Sequence, residues 1–141
     1  MRIILDTNVL VSALRSDMGA SYKIVSQLPS ERFQIALTVP LYLEYQDVLT
    51  RPENMTGASN RNDIFNFLRY LCSIAHQQKV FFLWRPRLDD PEDDMVLEAA
   101  IASQSRYIVT HNLRHFSDRG IEEQFGIIPV SPQTFLHLIE D

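Results

Sequence analysis

The stretch "IILDTNVLVSAL", residues 3–14, decides the fold class. Ile3, Ile4 and Leu5 form a short apolar run that leads straight into Asp6. The chain turns polar for Asp6-Thr7-Asn8, and apolar residues then return at helical spacing. A buried strand handing over to a helix in this way is the opening of an α/β unit. The carboxylate at the strand's end falls where the ligand site of an open α/β sheet usually lies.

The same alternation continues along the chain. Residues 2–5 read as a strand and 9–15 as the start of a helix. Tyr22, Ile24, Val25 and Leu28 extend a helical face that Pro29 ends. Phe33 to Val39 is strand-like, and Pro40 suits the first turn of a helix reaching about Arg51. The polar stretch "PENMTGASN", 52–60, is a loop. Asn62 or Asp63 is placed to cap a helix through about His76, with Ile64, Phe67, Leu68, Leu71 and Cys72 on one face. "KVFFLW", Lys79 to Trp84, reads as a third strand. Asp90-Pro91 opens a helix to about Gln104. Tyr107 to Thr110 and Ile127 to Val130 are further strands, and Ser131-Pro132 begins a last helix carrying Phe135, Leu136 and Ile139. This order predicts an α/β fold, a central, mainly parallel sheet of four or five strands with helices on both faces, in one domain over 1–141.

The totals bound the function class. A chain of 141 residues that is 45% hydrophobic and 22% charged can bury a sizeable core. No apolar run approaches the roughly 20 residues that span a bilayer, and Met1 to Asp6 lacks a signal peptide's pattern. The expectation is a soluble, cytoplasmic protein with no membrane partner. The single cysteine, Cys72, excludes an internal disulfide framework and a cysteine-rich zinc site. A net charge of −5 is not the basic footprint of a nucleic-acid binder. It does not exclude a nucleic-acid enzyme, because divalent ions supply positive charge at the site itself. Lys23, Arg51, Arg61, Arg69, Arg85, Arg87 and Arg114 are scattered and read as solvated charges.

Acidic and polar groups recur on the strand-to-helix side: Asp6, the cluster Asp89 to Asp94, and Thr110-His111-Asn112. Glu44 lies within the helix after the second strand, among Leu41, Tyr42, Leu43 and Tyr45. Converging carboxylates repel, so burying several together needs a cation, and oxygen donors suit Mg2+ or Mn2+. Plainer roles stand beside this one. Asp6 can be a helix cap, the 89–94 acids can complement a helix dipole, Glu44 can be solvated, and Asn112 can be a turn residue. No glycine-rich phosphate loop, zinc-spaced histidines or nucleophile elbow is present.

Taken together, the blocks "IILDTNVLVSAL", "VPLYLEYQDVLTRP", "LDDPEDDMVLEAAIAS" and "YIVTHNLRHF" resemble the PIN-domain nucleases, in particular the toxin-like branch of bacterial toxin–antitoxin systems. The resemblance implies a three-layer α/β/α sandwich and Mg2+- or Mn2+-dependent cleavage of RNA. It also implies a homodimer and a cognate antitoxin partner. By position, Asp6, Glu44 and Asp94 would be the catalytic, metal-holding acids, with Asp93 a helper. Asn8 would brace the loop and Thr110 would position the far side of the site. The last block departs from the pattern: where the family commonly carries a further aspartate, this chain has Asn112 and His115. That departure points to cleavage with one metal, or to weak activity. It also motivates the rival reading, a weakened PIN domain that binds RNA or protein without cutting.

Overall fold

A computed structural model of the chain describes residues 1–55, 60–80, 90–117 and 119–140. Strand β1 (Arg2–Leu5) leads into helices α1 (Thr7–Arg15) and α2 (Ala20–Ser26). Strand β2 (Gln34–Leu37) is followed by α3 (Val39–Leu49), a 3-10 turn at Pro52–Asn54 and α4 (Arg61–Ile74). Strand β3 (His76–Gln77) is a two-residue edge strand. Then come α5 (Pro91–Ser103), β4 (Tyr107–Val109), a 3-10 turn at Leu113–Phe116, α6 (Arg119–Phe125), β5 (Ile128–Val130) and α7 (Pro132–Ile139).

The five strands form one all-parallel sheet in the order β3-β2-β1-β4-β5. With helices layered on its two faces, this is the three-layer α/β/α sandwich that the sequence predicts. β1 sits at the centre, pairing Ile3 with Ile35 on one side and Leu5 with Val109 on the other. A central strand is covered on both faces, so Ile3, Ile4 and Leu5 are all buried and the strand reads as a continuous apolar run rather than an alternation. Helix α5 packs across β2, β1 and β4, which is why its apolar residues are not confined to one stripe. At the other end of the core, Phe135 of α7 meets Phe33 and Tyr107 edge-on, with ring centroids 5.2 and 6.0 Å away.

Several boundaries differ from the sequence reading, each for a local reason. The first helix begins at Thr7 rather than Val9 because Asp6 caps it. The fourth helix is capped by Asn60, and Asp63 closes a reciprocal capping box with it, so the cap is neither Asn62 nor Asp63 itself. That helix stops at Ile74, where Ala75 turns extended, and His76 and Gln77 pair with Ala36 and Leu37. The third described strand thus lies at His76–Gln77, ahead of the expected 79–84. Lys79 and Val80 follow it outside any strand, and residues 81–84 lie outside the described residues. The turn at Leu113–Phe116 and helix α6 carry no sequence signal strong enough to be read in advance.

Candidate functional site

The parallel sheet brings the starts of α1 and α5 to one edge, beside α3. Asp6 is the hinge between β1 and α1. Its backbone N–H still pairs with the Val109 carbonyl at 2.9 Å, as a strand residue would. Its side chain, only 6% exposed, accepts from the Thr7 N–H at 2.8 Å, from the Thr110 hydroxyl at 2.7 Å and from Asn8 Nδ2 at 3.2 Å. Capping α1 thus leaves the other carboxylate oxygen to Thr110 and Asn8. Behind it, the buried Tyr45 hydroxyl donates to the Leu5 carbonyl, tying α3 to the end of β1.

A cleft of about 270 Å3 opens over Asp6. Helix α1 contributes Asn8, Val11 and Arg15; α3 and its end contribute Glu44, Val48 and Arg51; α5 contributes Glu92, Asp93 and Val96. Asn112 and His115 line it from beyond β4. A larger groove of about 610 Å3 lies along β2 and β3, mostly apolar, with Lys79 the one charged group among its described lining. The acids gather in the smaller cleft.

Three of those acids are pushed in the same direction. Burial raises the Asp6 carboxyl above the ordinary carboxylate value, and the donors around it offset only part of this. Glu44, half-buried, is raised by its burial and then by the negative charges of Glu92, Asp47 and Asp6. Asp93 is raised to about 6, first by burial and then by Asp6 and Asp90, against the opposing pull of His115. These carboxylates sense one another through a low-dielectric cleft, and a cation would relieve the strain on all of them.

The structure places most of the predicted residues around this cleft. Asp6, Glu44, Asp93, Asn8, Asn112 and His115 share the cleft. Thr110 is fully buried beneath it and links two of its walls, donating to Asp6 and accepting from the Asn112 N–H at 3.0 Å. Asn8 Oδ1 accepts from the His111 N–H at 3.2 Å, joining the start of α1 to the segment after β4. Asp94 does not line the cleft. Neighbouring helical residues point about 100° apart, so turning Asp93 and Val96 toward the cleft turns Asp94 away from it. His115 is not idle: its Nδ1 lies 2.9 Å from Asp93 Oδ2. Arg15 and Arg51 were missed as cleft residues. The available signal was their seven-residue spacing from Asn8 and Glu44, which puts each on the same helical stripe.

A parallel sheet with an acid ending its central strand, and further acids delivered by the following helices, defines an α/β protein with an acidic cleft. The sequence model of the PIN domain matches residues 2–114, and the chain belongs to this family, whose members are typically nucleases. Among solved structures, VapBC2 from Rickettsia felis bound to a DNA fragment from their promoter is similar, with a TM-score of 0.62. The match covers 93% of this chain and 98% of that one at 17% identity, a likeness of fold. No curated protein sequence matches significantly. Among the described residues no helix is long and apolar enough to cross a membrane.

Proposed function

We propose that this chain is a metal-dependent endoribonuclease that hydrolyses RNA phosphodiester bonds, working in the cytoplasm as a homodimer and as the toxin of a toxin–antitoxin pair. The observation that carries the catalytic part is the convergence of Asp6, Glu44 and Asp93 on one cleft, where burial raises each above its ordinary value. The toxin role rests on the four sequence blocks, and the likeness to VapBC2 supports it through the fold.

The donor set fits a hard divalent ion in its chemistry, carboxylate oxygens whose mutual repulsion such an ion would cancel. The geometry is not preset: among the described residues no three His, Cys, Asp or Glu side chains are gathered closely enough to hold an ion as they stand. Asp6, Glu44 and Asp93 are the residues that would hold Mg2+ or Mn2+. When bound, the ion supplies the charge that activates a water and stabilises the leaving oxygen. The chain's own residues prepare the site. Thr110, Thr7 and Asn8 fix both Asp6 oxygens, and His115 orients Asp93. Asn112, uncharged, offers only its amide to that wall of the cleft.

The test is cleavage of a mixed single-stranded RNA pool with Mg2+, with Mn2+ and with chelator, alongside Asp6→Asn. Metal-dependent cutting that disappears in the variant, with its melting profile intact, is the expected result. Cutting that survives in Asp6→Asn sinks the mechanism. If no lane cuts but RNA is retained, the weakened binding domain becomes the better reading, motivated by Asn112 and His115 where acids were expected.

A further inference from the structure

Resting on the ribonuclease reading above, we propose that Arg15 and Arg51 are positioning residues that grip the RNA phosphates flanking the scissile one. They are the two lysine or arginine residues among the described lining of the acidic cleft. In a chain of net charge −5, they are the lysine or arginine groups that an anionic strand would meet among the described residues of the cleft.

Their placement follows from helix geometry. Asn8, Val11 and Arg15 form one stripe along α1; Glu44, Val48 and Arg51 form another along α3 and the residues just past it. The two helices pack on each other, so both stripes face the same space. Within α1, seven residues at 1.5 Å each set Arg15 about 10 Å along the axis from Asn8, and Arg51 stands just past the end of α3, seven residues after Glu44. A polyanion laid across the cleft would put one phosphate over the acids and others beside the guanidinium groups.

Each arginine is held in position through Nη2, and among the described residues its other nitrogens have no hydrogen-bond partner to give up. One Arg15 terminal nitrogen, Nη2, donates to the Glu53 carbonyl at 3.2 Å and to Asn54 Oδ1 at 2.7 Å. Asn54 is in turn anchored by donating to the Val48 carbonyl at 2.8 Å. Arg51 Nη2 meets Asp47 Oδ2 at 2.9 Å, with both side chains well exposed, and such a pair is weak enough for a phosphate to compete with it. The planar guanidinium fork matches two phosphate oxygens at once. The plainer account is that Arg15 only ties α1 to the Pro52–Asn54 turn and Arg51 is only half of a surface ion pair.

The experiment uses the full chain with Mn2+ and measures initial cleavage rates for Arg15→Gln, Arg51→Gln and the double variant. Arg15→Lys and Arg51→Lys are compared with them. Binding of the same RNA to these variants in an Asp6→Asn background is followed against salt concentration. The expected result is a KM raised about 3- to 10-fold per glutamine substitution, more than kcat falls. The slope of log affinity against log salt should drop by about 0.7 per arginine, and lysine should recover most of both. If Arg15→Gln fails to fold, Arg51→Gln carries the test alone. Wild-type cleavage with KM and salt slope unmoved in the variants overturns this inference and leaves the ribonuclease reading standing. A fall in kcat alone also overturns it, as the mark of a structural tie. A wild-type protein that neither cuts nor binds RNA overturns both.

Discussion

His115 Nδ1 lies 2.9 Å from Asp93 Oδ2, so an imidazole occupies the side of the cleft where the sequence pattern led one to expect another carboxylate. The exchange changes the electrostatics of the site. A carboxylate there would have repelled Asp93; the histidine instead pulls its pKa down, although burial still holds it at about 6. The contact gives His115 a role in orienting Asp93, while the acidic charge of the cleft is carried by α1's cap, α3 and α5.

A stability signature follows from Asp93. A carboxyl raised from 3.8 to about 6 on folding binds more protons in the folded state over that interval. The folded state therefore loses stability as pH rises through the interval, and keeps the full contribution only below it. Asp93→Asn, neutral at every pH, should melt higher than wild type in chelator above pH 6, with the difference closing toward pH 4. Melting curves across that range check it; a constant difference would contradict the shifted carboxyl.

Asp93 and Asp94 separate cleanly by experiment. A bound ion must stabilise the folded state by linkage, so millimolar Mn2+ should raise the melting temperature of the wild type. Asp93→Asn should lose that increment and Asp94→Asn should keep it, because only Asp93 lines the cleft. The opposite pattern would return the third acid to Asp94.

Thr110 is the prop beneath Asp6. Replacing it with valine keeps the shape but removes the donor at 2.7 Å and the acceptor used by the Asn112 N–H. We expect a cost of about 1–3 kcal/mol in denaturant unfolding from the buried groups left unpaired. Loss of this orienting bond should also weaken Mn2+ binding about 10-fold or more, read by titration.

Tyr45→Phe tests the tie between α3 and the end of β1. The hydroxyl is buried and donates to the Leu5 carbonyl, so its removal should cost about 1–2 kcal/mol. An unchanged denaturation midpoint would mean that this bond adds nothing to the fold.

Packing in the central sheet can be probed at Ile4, which is fully buried on β1 between β2 and β4. Ile4→Ala should lose about 2–5 kcal/mol, enough to abolish folding in a marginally stable domain. Circular dichroism on the purified variant gives the answer.

Local sequence determined much of this protein. The apolar run at Ile3–Leu5 marked the central strand, Asp90-Pro91 and Ser131-Pro132 marked helix starts that the structure keeps, and the strand–helix rhythm named the parallel sandwich. These signals are written in neighbouring residues, because caps, prolines and apolar periodicity act within a turn or a strand. Asp6 and Glu44 were also legible, as acids in apolar company. Which of two adjacent aspartates enters the cleft was not, since it depends on how α5 is rotated against β1, β2 and β4. The short third strand likewise follows from the register of β2, whose last residues pair with His76 and Gln77. Arg51 looked like one of several scattered surface charges until α1 and α3 were packed together. Rotation, register and the approach of distant helices are set by contacts between residues far apart in the chain, and only the tertiary structure decides them.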